Sequence, residues 1–311
     1  MAAGGLAIAL LVGAGARWYA RARFGATDDV TVARVQTEIN ARFAETARSL
    51  ALRLAHVSAA PDAVRAAARD STAARQLFQV LDAEIPANAM GSAGITVYDA
   101  SGAPLAWAGN VSDLPRDRIA AGGTMFAAPG SLGLRLVRVE TIADPERPTG
   151  PPLASVVAEQ LVEATTGSKS LADSFMLPTS IIEVAVRSRP GPAGLESSHA
   201  FAVRSPDGQV LAEAEVSREK LAEARNRLQG WTRASLLAIV GLTLLFCAAP
   251  ILEMRRHATG RSPFLLATAA FVGLLVAART VFWLATAVVP SPSAILSLEL
   301  MLDGLLLLAG V

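Results

Sequence analysis

Cysteine is nearly absent. Cys247 is the only one in 311 residues, so no disulfide can close within the chain. That excludes the bridged framework of small secreted domains. It does not exclude an extracytoplasmic location, because a domain of about 200 residues holds together without bridges. Histidine is almost as scarce: His56, His199 and His257 are scattered, with no Cys or carboxylate at ligand spacing. No metal site and no cofactor is therefore expected. Catalytic signatures are missing too. There is no G-x-S-x-G nucleophile motif, no Gly-rich nucleotide box, and no His in a phosphoacceptor setting, since His257 is followed by Ala-Thr-Gly-Arg. GAGAR at 13–17 lies within an apolar run. No catalytic residue is assigned. A basic stripe is also lacking: residues 28–230 hold 20 Lys/Arg against 24 Asp/Glu. Nothing there neutralises phosphates, so nucleic acid is not an expected partner.

What the chain has in excess is apolar length. Hydrophobic residues make up 52% and mean hydropathy is +0.41, concentrated in residues 2–16, 231–252 and 264–311. The stretch 28–230 between them has the composition of a water-soluble domain. Outside it, eight Arg face three acids, the balance of membrane flanks. The first apolar run reaches a span of about 20 residues if Trp18 and Tyr19 sit at the interface. It has no Lys or Arg ahead of it, unlike a signal peptide, although a cleaved signal is the competing reading. Three spans are expected after the soluble part: 231–252, 264–289 and 294–311. The loop EMRRHATGR between the first two carries three Arg and VPSPS carries none. The positive-inside rule puts the first loop in the cytoplasm and residues 28–230 outside. Arg17, Arg21 and Arg23 run against that count.

Within the polar part, Val32, Val35, Ile39, Phe43, Leu50, Leu54 and Val57 recur at helical steps. This spacing predicts one long amphipathic helix over 28–57, opened by Thr27-Asp28-Asp29. A second helix is expected from Ala63 to Asp82. Residues 97–108, VYDASGAPLAWA, and 203–214, VRSPDGQVLAEA, then echo each other at an offset of 106. Each reads as two strands joined by a tight turn that closes on Gly. Further strands are expected at 132–140, 153–162 and 181–187. From Ser217 the chain reads as helix into the membrane.

A membrane helix, a long helix, and sheets built on the hairpins at 95–109 and 201–216 resemble the PAS-like extracytoplasmic sensors (PDC or Cache domains) of bacterial histidine kinases, chemoreceptors and cyclases. The resemblance covers about 190 residues. It implies an α+β fold, a long N-terminal helix with one or two PAS-like antiparallel lobes. One transmembrane helix before and three after are read from the apolar runs, and three are more than the single following span typical of the family. The corresponding divisions are a span at 1–20, a helical stalk at 21–92, a first lobe at 93–163, a second lobe or a continuation of the same sheet at 164–216, a membrane-proximal helix at 217–230, and three spans at 231–311. The implied protein is the sensory and membrane portion of a histidine kinase in the bacterial inner membrane, dimerising through its long helix, with its output domain and natural start beyond these residues. The alternative is a transport or envelope-assembly component whose head binds a protein partner.

Sensor pockets are mostly apolar with a few placed polar groups. Tyr98, Trp107, Arg135 and Arg138 are the candidates for a small-molecule ligand, being aromatic or cationic within strand runs. The competing reading puts Trp107 in the core and both Arg on a solvated face. Inside the apolar runs, Arg279 lies mid-span, and Glu299 and Asp303 share a helical face in the next run. Charges in lipid are costly and face partners, so Arg279 is expected to pair with Glu299 or Asp303 across the VPSPS bend. Such a pair either couples conformations or simply joins two helices.

Overall fold

The computed structural model describes residues 2–130, 133–147, 149–164, 174–188, 199–258 and 260–288. These divide into two compact units, Val32–Arg218 and the described parts of Met1–Thr31 with Glu219–Val311.

The polar unit opens within α2 (Asp28–Ser58). Every residue of the predicted stripe is buried, and Ala47 fills the gap between Phe43 and Leu50. The expected second helix is two: α3 (Pro61–Ala67) and α4 (Ser71–Ala83). The break has a local cause. The Asp70 carboxylate accepts from the backbone N–H groups of Thr72 and Ala73, at 3.1 and 3.0 Å, capping a fresh helix where Ala68-Arg69 would otherwise continue the old one.

The strands form two separate antiparallel sheets. The first holds β1 (Ala93–Asp99), β2 (Pro104–Gly109), β3 (Thr124–Gly130), β4 (Gly133–Ile142) and β5 (Ala154–Ala164), in the order β2-β1-β5-β4-β3. The second holds β6 (Ser174–Pro178), β7 (Glu183–Arg187), β8 (Ala200–Arg204) and β9 (Val210–Glu215), in the order β6-β7-β9-β8. Strands β3 and β6 and a short helix, α5 (Arg116–Ala120), occur where none was predicted. Helix α2 reaches both sheets by polar contacts. Arg42 donates to the carbonyl of Val162 at 2.9 Å, and Glu38 accepts from the backbone N–H and the hydroxyl of Ser180 at 2.8 and 2.7 Å.

The two echoing segments agree in detail. Val97 opposes Ala106 as Val203 opposes Ala212, and each ladder slips register immediately after that valine. The Asp99 N–H donates to Ala103 O at 2.8 Å, as Ser205 N–H does to Gln209 O at 2.8 Å. Gly102 and Gly208 close the turns at φ +80° and +84°, a left-handed conformation that side chains disfavour. Their settings differ. In the first sheet the leading strand β1 is interior and β2 is the edge; in the second, β8 is the edge and β9 interior. The hairpins are inserted in mirrored order.

The apolar unit contains α1 (Ala2–Phe24), α6 (Arg218–Arg256) and α7 (Arg261–Val288), each long and apolar enough to cross a membrane. The run divided at 230/231 in the sequence is one continuous helix, α6. Helix α1 lies antiparallel to α6: Gly5 meets Thr243 so closely that a Cβ would overlap it, Gly13 lies by Leu236, and Phe24 sits beneath Arg225. Helix α7 returns along α6, with Gly241 against the Phe282 ring and Ala234 packed on Ala285. Small residues at such crossings let helices approach without a driving force from water. The predicted span at 294–311 lies outside the described residues.

Candidate functional site

Strand β1 is buried along six successive residues, so both its faces are covered. One face of the first sheet is closed by the strap 110–123, which joins β2 to β3 and includes α5. Beneath it Tyr98, Val137, Val139 and Val157 pack with Leu114 and Ile119 of the strap, and Phe126 joins them.

Beside that cluster a charged pair is almost fully enclosed. Arg135 on β4 and Glu159 on β5 retain 4% and 1% of their surface, and Arg135 Nη1 donates to Glu159 Oε2 at 2.9 Å. The strap completes both partners. Asn110 accepts two bonds from Arg135, at its carbonyl (2.7 Å) and at Oδ1 (2.8 Å). Ser112 donates its N–H to Glu159 Oε1 at 2.7 Å and its hydroxyl to Oε2. A buried charge is tolerated only when paired and hydrogen-bonded, and both conditions are met. The pair therefore locks the strap to the sheet. Tyr98 shares this environment: burial pushes its hydroxyl pKa above 10.0, and the negative charges of Glu159 and Asp113 push the same way, against a hydrogen bond with Thr96.

Of the four predicted ligand residues, the structure brings Tyr98 and Arg135 to one site and leaves the others apart. Arg135 is not on a solvated face; Glu159 holds it inside. Trp107 is not a core residue. It is 47% exposed on the edge strand β2 and meets Phe78 of α4 edge-on, at 5.0 Å between ring centroids. Arg138 is half-buried and bonds to Glu140 at 2.9 Å along its own strand. The unpredicted participants are Glu159, Asn110 and Ser112. Glu159 carried a legible signal, an acid in the middle of the largely apolar strand ASVVAEQLVEA.

A cleft of about 550 Å³ opens near the far end of the strap, between the Gly122-Gly123 turn and the β4–β5 loop, with Thr141 and Arg147 on its wall. Asp144 beside it is held below the usual carboxylate range, chiefly by Arg65, which donates to it at 2.7 Å. Among the described residues, no group of His, Cys, Asp and Glu is placed to hold a metal ion. Arg279 is half-buried on α7, whereas Glu299 and Asp303 lie outside the described residues. No protein-family model matches the chain, and no curated protein or solved structure is detectably similar to it.

Proposed function

We propose that this chain is the sensory and membrane portion of a bacterial signal-transduction receptor, the N-terminal part of a PAS-like (Cache) sensor histidine kinase. The supporting observation is the pair of antiparallel sheets, each with its own hairpin, that follows one long helix in a polar segment flanked on both sides by membrane-length helices. In this reading the head faces the periplasm and the protein dimerises along α2. A small molecule or envelope condition acts on the strap 110–123. That strap is held to the sheet by the apolar contacts of Leu114 and Ile119 and by the hydrogen bonds of Asn110 and Ser112 to the buried ion pair. The shift passes through α2 and α6 as a small helix displacement, and Arg279 with Glu299 or Asp303 carries it between spans.

Cysteine labelling in intact cells tests the arrangement. In a Cys247→Ser background, a membrane-impermeant maleimide is expected to label Ser101→Cys directly and Gly260→Cys only after permeabilisation; the reverse order overturns the reading. The sensing step is tested on the full chain in nanodiscs by a thermal-shift screen against small metabolites. A head that captures a protein partner and responds to no small molecule is instead a transport or envelope-assembly component.

A further inference from the structure

Between the facing ends of α1 and α6 lies an open cleft of about 830 Å³, the size range of small-ligand sites. Its wall carries four arginines, Arg17 and Arg21 from α1 and Arg225 and Arg233 from α6, and no acidic residue. Arg225 is committed to Asp28 and to the Thr31 hydroxyl. Among the described residues, the side chains of Arg17, Arg21 and Arg233 have no hydrogen-bond or ion-pair partner. All three are exposed, and guanidiniums gathered around one space make a positive field that attracts anions. Arginine's planar fork matches the oxygens of a phosphate in particular.

The surroundings set the depth of this cleft. Trp18, Tyr19 and Trp231 are all exposed on the same stretches of α1 and α6. Aromatic residues of this kind mark the headgroup level of a bilayer. Below them both helices become apolar and pack closely through Gly5 and Gly13. Arg17 and Arg21, two of the three arginines that run against the positive-inside count, thus line one cleft at the height of lipid phosphates.

We propose that this cleft binds the phosphodiester headgroup of an anionic membrane lipid. The proposal rests on α1 and α6 being membrane spans, but on no signalling role. A chain that is recovered without detergent would show that the spanning assignment itself fails, before any lipid is added.

The test uses the full chain in detergent, titrated with short-chain phosphatidylglycerol, the matching phosphatidylcholine, or inorganic phosphate, with bound lipid counted by native mass spectrometry. Saturable binding of phosphatidylglycerol is expected, with the zwitterionic lipid weaker. Arg21→Gln with Arg233→Gln should weaken it roughly thirtyfold, about 2 kcal/mol for two cations at a lipid headgroup. Arg116→Gln, on the strap, should leave it unchanged. Equal binding of the two lipids, or wild-type affinity in the double variant, overturns the proposal. Saturation by inorganic phosphate with no gain from the acyl chains overturns the lipid assignment in favour of a soluble phosphate compound.

Discussion

Glu159 is an acid in a largely apolar strand, and its position decides what Arg135 does. Removing one member of a buried pair strands the other charge, whereas replacing both by apolar groups is close to neutral. Glu159→Gln is therefore expected to lower the stability of the head by about 3 kcal/mol, and Arg135→Met with Glu159→Leu to restore most of it. Pulse proteolysis of the full chain in nanodiscs measures both. A loss under about 1 kcal/mol for Glu159→Gln would put the pair in the class of solvated surface bridges. Half of this site was legible in the sequence, since Tyr98 and Arg135 stand out as polar residues inside strand runs. Glu159 was visible as an acid in an apolar run, but its pairing with Arg135 was not, because an ion pair between β4 and β5 is a fact of register, and sequence spacing does not reveal register. Trp107 misled for a related reason. Large aromatics favour the core, but β2 is an edge strand, with a pairing partner on one side alone.

At the scale of elements, the long helix was read residue by residue because each buried position repeats the same step. The break between α3 and α4 was not, since neither Gly nor Pro marks it and Asp70 acts through a cap. Strand β3, TMFAAPG, carries neither alternation nor a branched run, so it reads as loop until β4 pairs with it. Glycines separate two kinds of constraint here. At Gly102 and Gly208 a Cβ would meet nothing, and only the backbone conformation resists it. Across the β1–β2 ladder, Gly94 and Gly109 face each other, and a Cβ on either would lie 2.3 Å from a backbone carbonyl oxygen, that of Asn110 or Ala93. Gly102→Ala and Gly208→Ala should each cost about 1 kcal/mol. Gly94→Ala should cost about 3 kcal/mol, the upper range for overpacking, and also loosen the strap that begins at Asn110. Amide exchange of residues 110–123 distinguishes the two: loosening in Gly94→Ala alone is expected, and equal exchange in all the variants would refute the distinction.

For the whole molecule, the division into a polar and an apolar unit was legible from hydropathy alone, because the two solvents select different compositions. Charge sets the pH range of the polar unit. Asp144 and Asp99 are held below 3.8, the first chiefly by Arg65 and the second chiefly by the Ser101 hydroxyl. A depressed carboxyl gives stability that is complete above its unfolded value and is lost as pH falls through the folded one. Tyr98 is raised above 10.0, so its contribution is complete below that value and is lost as pH rises past it. Stability should therefore form a plateau across neutral pH with an acid edge and an alkaline edge. Asp144→Asn is expected to soften the acid edge alone and Tyr98→Phe the alkaline edge alone, measured as protease resistance against pH; a variant that moves both edges would contradict the assignment. The number of sheets was not legible, because the two similar hairpins report turn chemistry and not which strand faces inward. Their mirrored placement shows what the turn does and does not fix. The same register slip and the same left-handed glycine serve a hairpin whose leading strand is interior and one whose leading strand is the edge, so the likeness at offset 106 dictates chain reversal and leaves lateral pairing to the rest of each sheet.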